Sequence, residues 1–333
     1  MKALLRWEVL LALVLCVLVW IGARLSPVFL TPQNFSNLTV AEMEIAIVAV
    51  PMTLIIIAGE IDLSVESMVG LSSTVLGFLW GAGVPISIGI PAVLAIGVLG
   101  GLLNGVLVTR AGLPSLVVTL GTLALFRGLA SVVLGPRAVS NFPPEFTAFG
   151  FGNVPGTPVP WPLVVFAILA LVVGLALHRT WSGRHVYATG KNQSAARYSG
   201  VPVVRLKTGL FVLSGLLSAL AGVILTSRLS SARSDAGSGM TLAVVTAVLL
   251  GGVNIFGGSG TIPGVVLAIF TLAALQNALR LADVSTELQS ISVGLLLILS
   301  VVVPNVARQL AALFRRLRAE LSSRRLHQWY MSR

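Results

Sequence analysis

Charged residues are scarce in this chain, and their scarcity excludes an ordinary water-soluble protein. Only 10% of the 333 residues are Asp, Glu, Lys or Arg, whereas 56% are hydrophobic. A soluble globular domain carries about 25% charged residues, so this chain cannot cover a water-facing surface of normal composition. We therefore expect the lipid bilayer to be its solvent.

Cysteine, histidine and catalytic motifs are also scarce. The single cysteine, Cys16, lies in an apolar run, and the three histidines are scattered. The sequence therefore predicts no disulfide, no metal site and no cofactor. It also contains no phosphate-binding loop with the Walker spacing, no Ser/His/Asp set and no paired carboxylates. We expect that the chain is not an enzyme and does not hydrolyse ATP itself.

Long apolar runs recur along the chain. A transmembrane helix needs about 20 apolar residues, and the runs lack the alternation of barrel strands. The sequence predicts an all-α membrane protein with about ten spans, in one domain over residues 1–333. The first run has no clear cleavage site, so we expect it to be a retained span rather than a signal peptide. The predicted spans are residues 8–25, 42–58, 67–84, 86–108, 115–134, 161–177, 208–227, 240–253, 264–282 and 288–304.

The 22 lysines and arginines outnumber the 11 acidic residues, but they lie between apolar runs rather than on one soluble face, so nucleic-acid binding is not expected. With ten spans and both termini in the cytoplasm, most basic residues fall in the cytoplasmic segments, as the positive-inside rule requires. The two main clusters are a central loop at about residues 178–207 and a tail at about 305–333. The exceptions in the outer segments are Arg24, Arg137, Arg228 and Arg233.

Residues 58–70, AGEIDLSVESMVG, place three carboxylates directly after the second span. An unpaired carboxylate at membrane depth is costly, so this segment is a candidate helix break. Asp62, Ser64 and Glu66 either lie near a solute pathway or a subunit contact, or play a structural part in which Asp62 and Ser64 cap the next helix. Proton coupling through these carboxylates is a further hypothesis.

A second interruption, SSARSDAGSGM at residues 230–240, is followed by the glycine-rich stretch LLGGVNIFGGSGTIPG, which contains Asn254. Glycines let the backbone turn sharply and let helices approach closely. The two interruptions follow the second and seventh predicted spans, on opposite membrane faces. Interrupted segments at corresponding places in two halves predict an inverted repeat.

Thr119, Thr122 and Arg127 lie within the fifth predicted span. The two threonines are three residues apart and share a helix face, where they bind a polar solute or bond a neighbouring helix. Arg127 pairs with a carboxylate, bonds loop carbonyls, or extends its charged end to the membrane surface. The sequence alone leaves these alternatives open.

The polar stretch RHVYATGKNQSAARYSGVP at residues 184–202 contains its own helix signals. Asn192 can cap a short helix over residues 193–199, which Gly200 and Pro202 would end. A helix of two turns is unstable alone in water, so we expect it to dock against another protein or the body of this one. A solvated connector is the alternative.

Four segments resemble the permease subunits of ABC importers for monosaccharides, the branch that includes ribose, rhamnose and autoinducer-2 importers. They are AGEIDLSVESMVGL, PSLVVTLGTLALFRGLA, GRHVYATGKNQSAARYSGV and TAVLLGGVNIFGGSGTIPG. The resemblance is strongest to autoinducer-2 import permeases, with rhamnose permeases next. The typical family segment is Gly-Gly-Ile-Asp-Leu-Ser, and here Glu60 replaces its second glycine, while Glu66 replaces another common glycine.

The resemblance implies the architecture of a type II ABC importer in a bacterial inner membrane. It also implies ATPase subunits on the cytoplasmic face, a second permease subunit, which we expect to form a heterodimer, and an extracytoplasmic sugar-binding protein. The residues that match the ATPase-coupling segment are Gly190, Asn192, Ala195, Ala196, Arg197 and Gly200. An ion- or proton-coupled secondary transporter that uses Asp62, Glu66 and Arg127 is the alternative function.

Overall fold

A computed structural model describes residues 7–300 and residue 302, and the described part is mainly helical. The predicted cytoplasmic tail therefore lies outside the described residues. The helices are α1 (Trp7–Leu25), α2 (Pro32–Ile57), α3 (Val65–Gly81), α4 (Ile86–Thr109), α5 (Ser115–Leu134), α6 (Pro144–Phe151), α7 (Trp161–Arg179), α8 (Trp181–Lys191), α9 (Gln193–Tyr198), α10 (Val203–Leu229), α11 (Met240–Leu250), α12 (Ile262–Leu281) and α13 (Thr286–Ser300).

Seven helices of the described chain are long and apolar enough to cross a membrane: α1, α2, α4, α5, α7, α10 and α12. The third, eighth and tenth predicted spans coincide with shorter helices. These are α3, α11 and α13, and α11 has only 11 residues. The structure therefore supports a helical multi-pass membrane protein, while the count of ten spans stays a prediction.

Two long helices, α2 and α10, form the centre of the fold. They have 26 and 27 residues and are far more buried than α1, α4, α5 or α7. Both begin well before the residue predicted from hydropathy. The first turns of α2 are largely polar, and Asn34, Ser36 and Thr39 on one side of them are buried. The Thr31 hydroxyl, at the N-cap, accepts a hydrogen bond from the backbone amide of Asn34.

Each central helix ends at a break. We call residues 58–64, between α2 and α3, the first break, and residues 230–239, between α10 and α11, the second break. Gly59 has a φ of +82° and Ser230 has a φ of +51°, both in the left-handed region that stops a helix. The predicted interruptions are thus present at both places.

One end of the helical body carries α6 and a two-stranded sheet. Strands β1 (Ala138–Val139) and β2 (Ala232–Arg233) pair antiparallel. Phe142 and Phe146 pack with Leu76. Segment 135–160 therefore contains β1 and α6 and lies beside the second break, since β1 pairs with β2.

The opposite end carries α8, α9 and the loop of residues 251–261, which we call the glycine loop. The start of α1 lies at the same end, since the Trp7 indole donates to the Leu250 carbonyl at 2.7 Å. Tyr187 of α8 donates to the Gly260 carbonyl at 2.7 Å. The polar central segment, which was predicted as a loop with one short helix, forms two helices, because Thr180 caps α8 through the Gly183 amide.

Candidate functional site

Helix α9 has the features predicted for a docking helix. The Asn192 side chain accepts a hydrogen bond from the Ala195 amide at 2.9 Å, and Gly200 follows the helix with a φ of +84°. Ala196 is buried against the body of the protein, while the rest of the helix is exposed and Tyr198 is 92% exposed. The predicted cap and termination are confirmed, and Ala195 and Arg197 lie on the outer side.

Three glycine-containing segments meet directly behind α9. A Cβ on Gly190, at the end of α8, would overlap the Ile57 carbonyl oxygen and approach the Gly258 amide to 2.6 Å. That same carbonyl accepts a hydrogen bond from the Gly258 amide at 2.8 Å. Only glycine allows this approach. The end of α8 is therefore in backbone contact with the glycine loop and with the last residue of α2, where the first break begins.

A buried lysine joins α9 to the first break. The Lys207 ammonium, in the second turn of α10, lies 2.5 Å from a Glu60 carboxylate oxygen and 2.6 Å from the Gln193 amide oxygen. The Lys207 residue is only 4% exposed. The sequence interpretation counted Lys207 as a cytoplasmic loop charge and left the role of Glu60 undecided, so it missed this cluster.

Asp62 organises the interior of the first break. Its carboxylate accepts hydrogen bonds from the Ser64 amide at 3.0 Å, the Ser64 hydroxyl at 2.6 Å and the Ser214 hydroxyl of α10 at 2.7 Å. Asn104 of α4 donates to the Ser64 oxygen at 2.9 Å. Ser64 stands at the N-cap of α3, but its side chain forms no cap bond. The predicted capping is thus wrong for Ser64, because its hydroxyl is engaged with Asp62 and Asn104.

The two threonines of α5 bond mainly to their own helix. Thr119 donates to the Ser115 carbonyl at 2.8 Å and lies 3.4 Å from the Ile61 carbonyl of the first break, while Thr122 donates to the Val118 carbonyl at 3.1 Å. Both are buried. This arrangement agrees with the packing alternative and leaves no hydroxyl directed at open space.

Arg127 bonds the second break and also faces a carboxylate. Its guanidinium donates to the Ser234 carbonyl at 2.9 Å and the Ala236 carbonyl at 3.3 Å, and it lies 3.8 Å from Glu66. Glu66 in turn accepts a hydrogen bond from the Thr241 amide at the start of α11. Two of the three alternatives for Arg127, pairing with a carboxylate and bonding loop carbonyls, therefore hold at once.

The predicted pathway residues do not form one cluster. Asp62 and Ser64 lie in the first break, and Glu66 with Arg127 contacts the second break. Asn254 lies in the glycine loop, where its side chain accepts a hydrogen bond from the Phe256 amide at 3.1 Å. Asn254 therefore shapes the loop behind α9, at the other end of the body from Arg127.

A cavity of about 540 Å³ opens beside the second break. The buried Glu44 of α2 pairs there with Arg228 of α10 at 2.7 Å, and Arg233 pairs with Asp235 at 2.8 Å. Hydrogen bonds from Arg233 hold the pKa of the Asp235 carboxyl below its ordinary value. The sequence interpretation missed Glu44, although an acidic residue inside an apolar helix is a signal for it.

Among the described residues, no group of three or more His, Cys, Asp or Glu side chains could hold a metal ion.

Residues 34–301 match the family described as branched-chain amino acid transport system / permease component. The chain belongs to this permease family. It is 44% identical over 264 residues to the autoinducer 2 import system permease protein LsrD of Yersinia enterocolitica, a match that covers 78% of this chain and 79% of that protein. LsrD proteins of Yersinia pseudotuberculosis and Yersinia pestis are 42% identical with the same coverage. No solved structure matches.

Family membership and these relatives confirm the predicted permease. The chain is a membrane-embedded transport subunit of the ABC importer type, and the relatives are transport subunits rather than enzymes.

Proposed function

We propose that this permease imports autoinducer 2 or a closely related sugar-like solute across a bacterial inner membrane, powered by separate ATPase subunits. The observation that supports this most strongly is the 44% identity over 264 residues to an autoinducer 2 import permease. Rhamnose and ribose are the neighbouring solute classes. The family description names branched-chain amino acids, so a branched-chain amino acid belongs in the same assay as a competing solute.

In the proposed topology ten helices span the membrane and both termini lie in the cytoplasm. The start of α1, helices α8 and α9 and the glycine loop share one end of the body. The basic residues of the central segment 178–207 belong to that end, which the positive-inside rule assigns to the cytoplasm. The end with α6 and the β1–β2 sheet then faces outward, where a sugar-binding protein would dock.

The α9 helix is the proposed contact for the ATPase. Its outer side is exposed and is formed by Ser194, Ala195, Arg197 and Tyr198, while Ala196 anchors the helix in a small apolar cluster. When ATP closes the ATPase subunits, α9 moves with them and transmits the motion to α10 and the first break. This chain supplies no hydrolytic group in that step and converts the motion into access for the solute.

The cavity beside the second break is the proposed contact for the solute on its outward side. Its volume of about 540 Å³ lies within the roughly 300–1,000 Å³ range of small-molecule sites. Carboxylate and guanidinium groups, such as those of Glu44 and Arg228, bind vicinal hydroxyls through charge-assisted hydrogen bonds. A second permease subunit, related to this one but not identical, would complete the pathway.

Reconstitution tests the function directly. The permease, its partner permease, the ATPase and the binding protein are placed in liposomes, and uptake of radiolabelled autoinducer 2 is measured against rhamnose, ribose and leucine. We expect uptake only with ATP and the ATPase. Uptake by the permease without the ATPase, or loss of uptake with an uncoupler while ATP is maintained, would instead indicate a secondary transporter.

The docking assignment has its own test. Ala195→Glu places a carboxylate on the outer side of α9, and we expect the ATPase to stop co-purifying with the permease. Ala82→Glu is the matched control, because Ala82 is also exposed but follows α3 at the other end of the body. Retention of the ATPase by Ala195→Glu would refute the assignment of α9.

A further inference from the structure

The buried lysine behind α9 has partners on two different elements. The Lys207 ammonium contacts the Glu60 carboxylate of the first break at 2.5 Å and the Gln193 amide oxygen at the start of α9 at 2.6 Å. The side chains of Lys207 and Glu60 are only 5% and 15% exposed. We call these three residues the Glu60–Lys207–Gln193 cluster.

Burial makes the cluster resist separation. A charge removed from water must keep its hydrogen-bonding partners, because an unpaired buried charge is strongly destabilising. When α9 moves, Gln193 moves with it, so Lys207 either follows and displaces Glu60 or leaves a buried charge without a partner. The favoured outcome is that α9, α10 and the first break move together.

Movement of Glu60 reaches the membrane interior through its chain neighbours. The next residue, Ile61, receives a hydrogen bond from Thr119 of α5 on its carbonyl and donates its amide to the Ser115 hydroxyl. Asp62 then bonds Ser214 of α10. A displacement of the first break at Glu60 is therefore passed to α5 and to the middle of α10 within two residues.

The cluster depends on the side chain of Glu60, because a residue without a carboxylate there could not form an ion pair with Lys207. In this chain a carboxylate occupies the position, directly after Gly59 with its φ of +82°.

The geometry points to Glu60 and Lys207 as positioning residues that couple movement of the ATPase-docking helix to opening of the first break. This inference rests on the proposed importer function. It assigns Glu60 a role in the efficiency of transport rather than in binding the solute or the ATPase.

The test compares ATP hydrolysis with uptake in the complete reconstituted importer. The variants are Glu60→Gln, Lys207→Met and the charge exchange Glu60→Lys with Lys207→Glu, and the probe is radiolabelled autoinducer 2. We expect each single variant to raise the ATP hydrolysed per solute imported by roughly two- to thirtyfold, the range of measured coupling effects. The exchange should restore most of the efficiency, because the Gln193 amide can turn its NH₂ group toward the new carboxylate.

Controls separate coupling from folding and from the function itself. Lys191→Met removes an exposed lysine at the end of α8 and should leave the ratio unchanged. ATPase co-purification should persist in every variant. If the single variants lower hydrolysis and uptake in equal proportion, or if the exchange fails to restore the ratio, the coupling role is wrong. Absence of ATP-dependent uptake in the unaltered importer would instead refute the proposed function.

Discussion

The two helix breaks share a position in the fold but are held in different ways. Each follows a long, buried central helix and precedes a shorter one: α2 leads to α3, and α10 leads to α11. The first break is held by its own side chains, Glu60 and Asp62. The second break is held mainly from outside, by the Arg127 guanidinium on its backbone carbonyls. The predicted inverted repeat would account for this equivalence of position. The difference in bonding gives the two breaks different mechanical connections to the rest of the fold.

The difference suggests which break responds to which partner. Side chains of the first break connect to α9, the proposed ATPase contact, whereas the second break borders the cavity proposed for the solute. Removal of a carboxylate from the first break should weaken the coupling between movement of α9 and opening of the pathway. Removal of the Arg127 guanidinium should free the backbone of the second break, which lines the cavity. The four predictions below test this division, beginning with the largest expected effect.

The largest effect is expected at Asp62. Asp62→Ala leaves three buried donors, from Ser64 and Ser214, without their acceptor, and each such loss costs about 1–3 kcal/mol. We expect the purified permease to unfold at a clearly lower temperature and uptake to be lost. Asp62→Asn keeps one acceptor oxygen and should be intermediate. Equal thermal stability of the alanine variant and the unaltered protein would contradict the structural role of Asp62.

Gly190→Ala should have the next largest effect, because its methyl group would press on the Ile57 carbonyl and the Gly258 amide behind the first break. Overpacking of this kind costs about 1–3 kcal/mol. We expect weaker ATP-driven uptake and a lower unfolding temperature. Gly209→Ala is the control, since a methyl group there meets no heavy atom within 4 Å. The prediction is wrong if both variants behave alike.

Arg127→Met tests the second break. The change removes two hydrogen bonds that the partly exposed guanidinium donates to backbone carbonyls, and a typical intramolecular hydrogen bond contributes about 0.5–1.5 kcal/mol. We expect reduced uptake with unchanged ATPase co-purification, because α9 is at the other end of the body. Arg127→Lys should retain part of the activity, since an ammonium can reach only some of these acceptors. Release of the ATPase by Arg127→Met would contradict the separation of the two breaks.

The sequence predicted the helical membrane fold because apolar runs of spanning length are direct signals of the bilayer. It also predicted α9, since Asn192 and Gly200 are local signals that need no tertiary contact. Hydropathy placed the start of α2 too late, because its first turns are largely polar and extend the helix beyond the apolar run. It likewise did not predict α8, because α8 contains no long apolar run and its local signal is the single N-cap residue Thr180.

Residues of the candidate site that depend on long-range contacts could not be predicted. Lys207 and Glu60 are 147 positions apart, and Glu44 and Arg228 are 184 apart. In the sequence, Lys207 cannot be distinguished from the other basic residues that the positive-inside rule assigns to the cytoplasm. Its burial results from the packing of the start of α10 against Glu60 of the first break. Charge counting therefore assigns Lys207 to the polar central segment but does not predict that its ammonium connects α9 to the first break.

The smallest effect is expected at Asp235, the exposed counterpart of Asp62 in the second break. Both members of the Arg233–Asp235 pair are well exposed, and exposed ion pairs contribute little to stability. The Arg233 hydrogen bonds lower the pKa of the Asp235 carboxyl from 3.8. Any stabilisation of the folded protein by this pair is therefore fully present above pH 3.8, and it is lost as the pH falls through the lowered pKa. Asp235→Asn should therefore leave the unfolding temperature at neutral pH unchanged. It should weaken uptake only if the solute touches the cavity wall there, so a raised KM with unaltered ATPase binding would place Asp235 at the solute. A large loss of stability would mean that the second break, like the first, is held by its own carboxylate.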